Sequence, residues 1–294
     1  MSSVSDANEH GAGAVQKDNH FRNIVLLWIV ANVIALPLII WVAGPGMPPG
    51  NGSVEASGQR VDNIVLLAMS TPVALAVIVY VGYALWAFRE RTPEVVVDGP
   101  PIRGNSSVQF WWLIVTTTLV LVLAGYGTSR LLTDGSGGGQ GPNPIAVPAA
   151  PAGTTTLPVQ VVAQQWQFTY RFPTYGGVET RALELPANTL VRFNVTSLDV
   201  IHSFWAYQLG VKADANPGVN NVAFVTTKRP LTFNVRCAEL CGLWHGYMFN
   251  PGRVVPKAQF LAWITQQRIQ YAPATGKLPP YSRTYFPQPQ RRGG

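Results

Sequence analysis

Charge is missing from three long stretches in the first half of this 294-residue chain. No charged residue lies between Arg22 and Glu55, between Asp62 and Arg89, or between Arg103 and Arg130. The gaps hold strongly apolar runs at 24–42, 64–88 and 110–123. An apolar helix of about 20 residues crosses a hydrocarbon layer of roughly 30 Å. Core helices of that length carry a polar face, which these runs lack. Only 12% of all residues are charged, about half the roughly 25% of a soluble domain. The runs therefore predict membrane spans, and the apolar mass excludes a disordered charged tail protein.

The first run allows two readings, an extra transmembrane helix or a secretory signal at 24–43. About 22 polar residues precede it, and it is longer than the 7–15 residues of a signal core. A retained span is therefore favoured, and Pro37 is tolerated in a membrane helix. The short loops set the orientation. Arg89, Arg91 and Arg103 lie between the second and third runs, against Arg60 alone between the first and second. The positive-inside bias puts the former loop and the tail 1–23 in the cytoplasm, and everything after the third run outside.

Residues 62–132 thus form a two-helix hairpin. A Gly/Pro-rich stretch at 133–158 reads as a flexible linker. From residue 159 the pattern changes to short alternating segments rich in β-branched and aromatic residues, at 159–172, 189–197, 221–227 and 231–236. Such segments between turn residues predict a β-sandwich or barrel over 159–267. A short helix is expected at 257–267 and an irregular basic tail at 268–294. The predicted fold class is a membrane-anchored all-β protein.

The metal-binding residue types are concentrated in this outer domain. Of four histidines and two cysteines, His202, His245, Cys237 and Cys241 all fall here. Three of them lie in Cys237-Ala-Glu-Leu-Cys241-Gly-Leu-Trp-His245-Gly-Tyr-Met248. One Cys, two His and a weak Met on a β-sandwich describe a mononuclear copper site. A second thiolate four positions away can instead bridge two copper ions. His202 and His245 would then cap the ends, with Met248 and a loop carbonyl as weak axial ligands. A Cys237–Cys241 disulfide is the structural alternative. Zinc would accept the Cys and His residues but leaves Met248 idle.

The motif C-x-E-x-C-x-x-x-H-x-x-M resembles that of subunit II of the haem–copper cytochrome c oxidases. The likeness runs from about residue 62 to 264. It includes Asp199-Val-Ile-His202-Ser, the segment 209–218 and Gln165-Trp166-Gln-Phe168-Thr-Tyr170. The resemblance implies a cupredoxin-like Greek-key sandwich behind two helices. It also implies a dinuclear CuA centre held by His202, Cys237, Cys241, His245, Met248 and the Glu239 carbonyl. The Glu239 carboxylate would reach a magnesium or manganese ion at the border with subunit I, and Trp166 matches the aromatic that receives the electron from cytochrome c.

The implied role is electron input to a terminal oxidase of a bacterial plasma membrane, with the copper domain on the periplasmic face. Electrons would pass from a cytochrome c to haem in subunit I, where oxygen is reduced to water as protons are translocated. Subunits I and III, a separate or subunit-borne cytochrome c and the lipid bilayer are the expected partners, and no nucleic acid. The alternatives are a copper subunit of a nitric oxide reductase and a metal-free structural subunit of a quinol oxidase. Two residues depart from the family pattern. Gln109 stands where an acid near a proton entrance is usual, and Phe168 replaces a second tryptophan. From residue 134 onward six acids face fourteen Lys and Arg. The expected donor is accordingly acidic, docked through apolar contact, or tethered.

Overall fold

The structure is a computed structural model and describes residues 19–89, 103–134 and 137–275. The N-terminal tail to residue 18, the loop carrying Arg91 and the last part of the basic tail lie outside the described residues. Two compact units are distinguished: residues 1–42 with 66–97, and residues 43–65 with 98–294.

In the first unit, helix α1 (His20–Pro37) packs on the later part of helix α2 (Val54–Ala87). The Trp28 indole N–H donates to the Pro72 carbonyl at 2.8 Å, and the His20 ring meets the Tyr83 hydroxyl at 2.9 Å. Pro37 cannot donate to the helical ladder, and after it the chain continues as a π-helical turn at Leu38–Ala43. Val33, Trp41, Val77 and Leu85 are more than half exposed. Only a hydrocarbon surrounding accepts so much apolar surface on helices of this length. Among the described residues, three helices are long and apolar enough to cross a membrane: His20–Gly46, Val54–Ala87 and Ser106–Thr133. The third belongs to helix α3 (Ser106–Asp134), on whose first turn Gln109 lies exposed.

The second unit holds ten strands in two five-stranded sheets. One has the order β3 (Val178–Thr180), β2 (Gln167–Phe172), β1 (Leu157–Gln164), β5 (Leu190–Ser197), β8 (Asn221–Thr226). The other has the order β4 (Leu183–Pro186), β10 (Phe249–Val255), β9 (Leu231–Cys237), β6 (His202–Ala206), β7 (Val211–Ala215). Pairing is antiparallel except for β1 with β5 and β4 with β10. The period of two sends alternate side chains into the space between the sheets. Val159, Val161, Phe193, Val195, Phe204, Phe233 and Val235 fill it. Each such side chain contributes about 1.5–3 kcal/mol on burial. Helix α4 (Lys257–Thr275) inserts Phe260 and Ile264 at the edge of this core, with Trp263 packed against Phe172.

Two expectations change in detail. The segment 159–172 is a hairpin of two strands, because the chain turns at Gln165-Trp166. Helix α4 runs on past residue 267 to Thr275, since Arg268–Ala272 contain no helix breaker.

Candidate metal centre

Strand alternation places the first two candidate ligands. His202, Phe204 and Ala206 point inward from β6, and Phe233, Val235 and Cys237 point inward from β9. The strands are neighbours, with Phe204 opposite Cys237 in register. This puts His202 and Cys237 at the same end of the core, His202 Nδ1 lying 3.8 Å from Cys237 Sγ. Both arrive on rigid strands, which hold ligands more tightly than loops.

His202 is fully buried and its orientation is fixed from behind. Its Nε2 lies 2.9 Å from Asp199 Oδ1. Partial burial works against the Asp199 charge, but the Gln165 N–H, the His202 ring and the Val200 N–H outweigh it. Together they hold the carboxyl below the usual carboxylate range. An ionised carboxylate only accepts hydrogen bonds, so Nε2 carries the proton and donates. That leaves Nδ1 as the lone-pair donor turned toward the sulfur, the usual carboxylate–histidine arrangement behind a metal.

The remaining ligands follow from the turn between β9 and β10. The Cys237 N–H donates to the Met248 carbonyl at 3.0 Å and closes this loop at its base. Inside it, Cys237 Sγ is 3.8 Å from Cys241 Sγ and 3.2 Å from the Glu239 carbonyl oxygen. Cys241 Sγ is 3.5 Å from His245 Nδ1 and 3.8 Å from Met248 Sδ. Among the described residues, His202, Cys237 and Cys241 have ligand atoms within 4.8 Å of one another. Both thiols are free. The disulfide alternative is therefore not the state seen in the structure.

The donor set suits a soft metal. Burial first, and then the neighbouring Cys237, push the Cys241 thiol up to about 12. That thiol becomes a thiolate at neutral pH only if a cation replaces its proton. Two sulfurs, two imidazole nitrogens, a thioether and one carbonyl match copper better than any hard cation. The Glu239 carbonyl belongs to this set, whereas its side chain is exposed.

Trp166 touches the same loop. Its indole N–H donates to the Cys241 carbonyl at 3.1 Å, and Gln165 Nε2 donates to the same oxygen at 2.9 Å. Gly242 follows with φ +112, a conformation side chains rarely adopt. A Cβ there would stand 3.1 Å from Gln165 Nε2 and 3.4 Å from the Trp166 ring. Trp166 itself is partly buried against the main core. Around the loops Leu198, Ile201, Leu240, Leu243, Trp244 and Tyr247 are exposed. Asp199 and Gln165 were not singled out as site residues from the sequence. The spacing of Asp199 three positions before His202 was the only signal for the former.

Comparisons with known proteins find similar chains. Residues 178–254 match the family described as "Cytochrome C oxidase subunit II, periplasmic domain". Cytochrome c oxidase subunit 2 of Thermostichus vulcanus is 28% identical over 299 residues, 86% of this chain and 89% of the relative. The subunit 2 of Bacillus sp. (strain PS3) is 30% identical over 189 residues, 62% of this chain and 51% of the relative. The crystal structure of the periplasmic domain of subunit II of cytochrome oxidase (CoxB) of Bradyrhizobium japonicum is 29% identical. It covers 43% of this chain and 99% of that chain, with a TM-score of 0.40. The full run of candidate ligand residues and the likeness to subunit 2 across helices and sandwich make the chain similar to the cytochrome c oxidase subunit II proteins.

Proposed function

We propose that this chain takes electrons from a cytochrome c at a dinuclear copper site and passes them to haem in subunit I of a terminal oxidase. There oxygen is reduced to water and protons are translocated. The observation that carries this is the second thiol. Cys237 and Cys241 lie 3.8 Å apart, each with its own imidazole, His202 and His245. A mononuclear copper site built on one Cys and two His has no use for the second thiol, and zinc would leave Met248 idle. When bound, the copper pair supplies a one-electron carrier shared over two metals.

The chain's own residues do the rest. Asp199 fixes the His202 tautomer, and the core excludes water from both sulfurs. Trp166 offers an aromatic face hydrogen-bonded to a ligand residue, which suits it to receive the electron. The exposed Glu239 carboxylate is suited to a magnesium or manganese ion shared with subunit I. Three apolar helices and an outer-face domain type fit a bacterial plasma membrane, with the sandwich in the periplasm. Subunit III is a further partner of the complex.

The test is spectroscopic. Residues 137–275, expressed and loaded with copper, should bind a metal pair with one unpaired electron shared equally. Cys237→Ser should leave a mononuclear site or none. A four-line hyperfine pattern from the parent domain, the mark of an electron held on one copper, would overturn the assignment.

A further inference from the structure

Two chain segments that join the sandwich to its helices meet at one corner, formed by β7, β8 and the turn Tyr207–Leu209. Before α2, Ser53 pairs as a β-bridge with Thr227, and its hydroxyl donates to the Leu209 carbonyl at 2.7 Å. The same oxygen accepts the Ala56 N–H at 2.8 Å and so caps the helix. The buried Glu55 carboxylate accepts the Thr226 N–H at 2.7 Å, and Gln59 Nε2 donates to the Gly210 carbonyl at 2.6 Å. After α3, Gly138 pairs with Lys212, and the Gly139 N–H donates to the Lys212 carbonyl at 3.0 Å. Gln140 and Gly141 exchange main-chain hydrogen bonds with Val222 at 2.9 and 3.0 Å.

The glycines show how tight this corner is. A Cβ on Gly137 would lie 2.4 Å from the Gly210 oxygen and 3.4 Å from Glu55 Cβ. On Gly139 it would lie 2.4 Å from the Asn221 side chain, and on Gly210 2.8 Å from Ala56 Cα. On Gly52 it would lie 2.7 Å from the Gln208 oxygen. Gly141 and Gly153, by contrast, have nothing within 4 Å and are set apart only by their positive φ. At Gly52, Gly137 and Gly210 glycine is needed because backbone meets backbone, and at Gly139 because the Asn221 side chain fills the place. Two turns further into the helices, Asp62 Oδ1 accepts from the Tyr126 hydroxyl at 2.6 Å and from Arg130 Nε at 2.9 Å, which ties α2 to α3.

We infer that these contacts form a fixed mount, in which Glu55, Gly137, Gly139 and Gly210 are positioning residues. They hold the copper-bearing sandwich at one height and angle on the ends of α2 and α3. The inference rests on the electron-transfer reading above. Electron tunnelling falls steeply with distance, so a sandwich swinging on a loose tether would spend most of its time too far from the partner subunit's haem. An anchored one keeps the gap constant at no cost per turnover.

The test uses the intact oxidase complex. Glu55→Ala removes one contact, and Gly139→Ala forces a Cβ against the Asn221 side chain. Glu55→Gln retains a carbonyl acceptor, and Gly127→Ala, on α3 with open space around it, serves as control. Amide exchange at Thr226 and Gln140 is measured by mass spectrometry. The copper spectrum and both electron-transfer steps, donor to copper and copper to haem, are measured beside it. Faster exchange with several-fold slower onward transfer, at unchanged copper spectrum and donor reduction, is the expected result. Glu55→Gln and Gly127→Ala should behave as the parent. Unchanged onward transfer despite faster exchange would overturn the proposal, as would unchanged exchange. So would loss of copper in every loosened variant, since the contacts would then serve only the fold. A parent complex in which copper never reduces the haem would instead refute the functional reading.

Discussion

The indole N–H of Trp166 donates to the main-chain carbonyl of Cys241 at 3.1 Å, so an aromatic ring at the rim of the site is bonded directly to a ligand residue. Trp166→Phe keeps an aromatic face and loses this bond, while Trp166→Ala loses both. Reduction by the donor, followed by stopped flow, should slow moderately in the first variant and strongly in the second. The copper spectrum should change little in either. Equal rates in all three proteins would make Trp166 a packing residue.

Asp199 orients His202 and also accepts the Gln165 N–H at 2.7 Å, which connects a ligand to the turn that carries Trp166. Loss of such a hydrogen-bonding partner behind a metal ligand typically costs about 10–100-fold in metal affinity. Asp199→Ala should weaken copper binding by about that factor, and Asp199→Asn by less, since its amide oxygen still accepts from Nε2. A competition titration against a copper chelator measures this. Parent-like affinity in Asp199→Ala would show that strand packing alone orients the ring.

Tyr170 is fully buried and donates its hydroxyl to Asn250 Oδ1 at 3.2 Å. Burial raises its phenol well above the ordinary range, and the bond to Asn250 only partly offsets this. A folded-state pKa above the unfolded one, about 10, gives stability that is whole below that pH. It is lost as pH climbs toward the folded value. At neutral pH, Tyr170→Phe should cost about 0.5–1.5 kcal/mol for the hydrogen bond. Above about pH 10 the parent should lose stability faster than the variant, and the gap should narrow. Urea unfolding of both proteins at the two pH values checks the sign. A gap independent of pH would mean that Tyr170 ionises freely in the folded state.

The acids of the sandwich are largely spoken for. Glu179 pairs with Arg171, Glu184 with Arg253, Asp214 accepts from Ser203, and Asp199 holds His202. The loops around the copper ligands instead expose Leu240, Leu243, Trp244 and Tyr247. A strongly basic soluble cytochrome c should therefore turn over slowly at low salt, with little dependence on ionic strength. Fast turnover that falls steeply with added salt would reveal a negative docking patch and refute this expectation.

The sequence by itself determined the apolar spans and the candidate ligand set. A charge cannot be hidden in a bilayer, so gaps of this length show the spans without any knowledge of tertiary contacts. The loop from Cys237 to Met248 carries four candidate ligand side chains within twelve consecutive residues, so local spacing alone makes them legible. Tertiary structure decided the rest. Strand β10 is interrupted by Pro251 and Gly252, β6 is buried on both faces at its start, and β7 is only five residues long, so pairing with neighbours defines them. The contributions of Asp199 and Gln165 depend on where their side chains point across a turn, which no periodicity records. The run Gly137-Gly138-Gly139 is the sharpest case. In sequence it reads as a flexible tether, because glycine permits both looseness and close approach. Gly210 and Asn221, more than seventy positions away, fill the space a side chain would need, and that contact makes the segment an anchor.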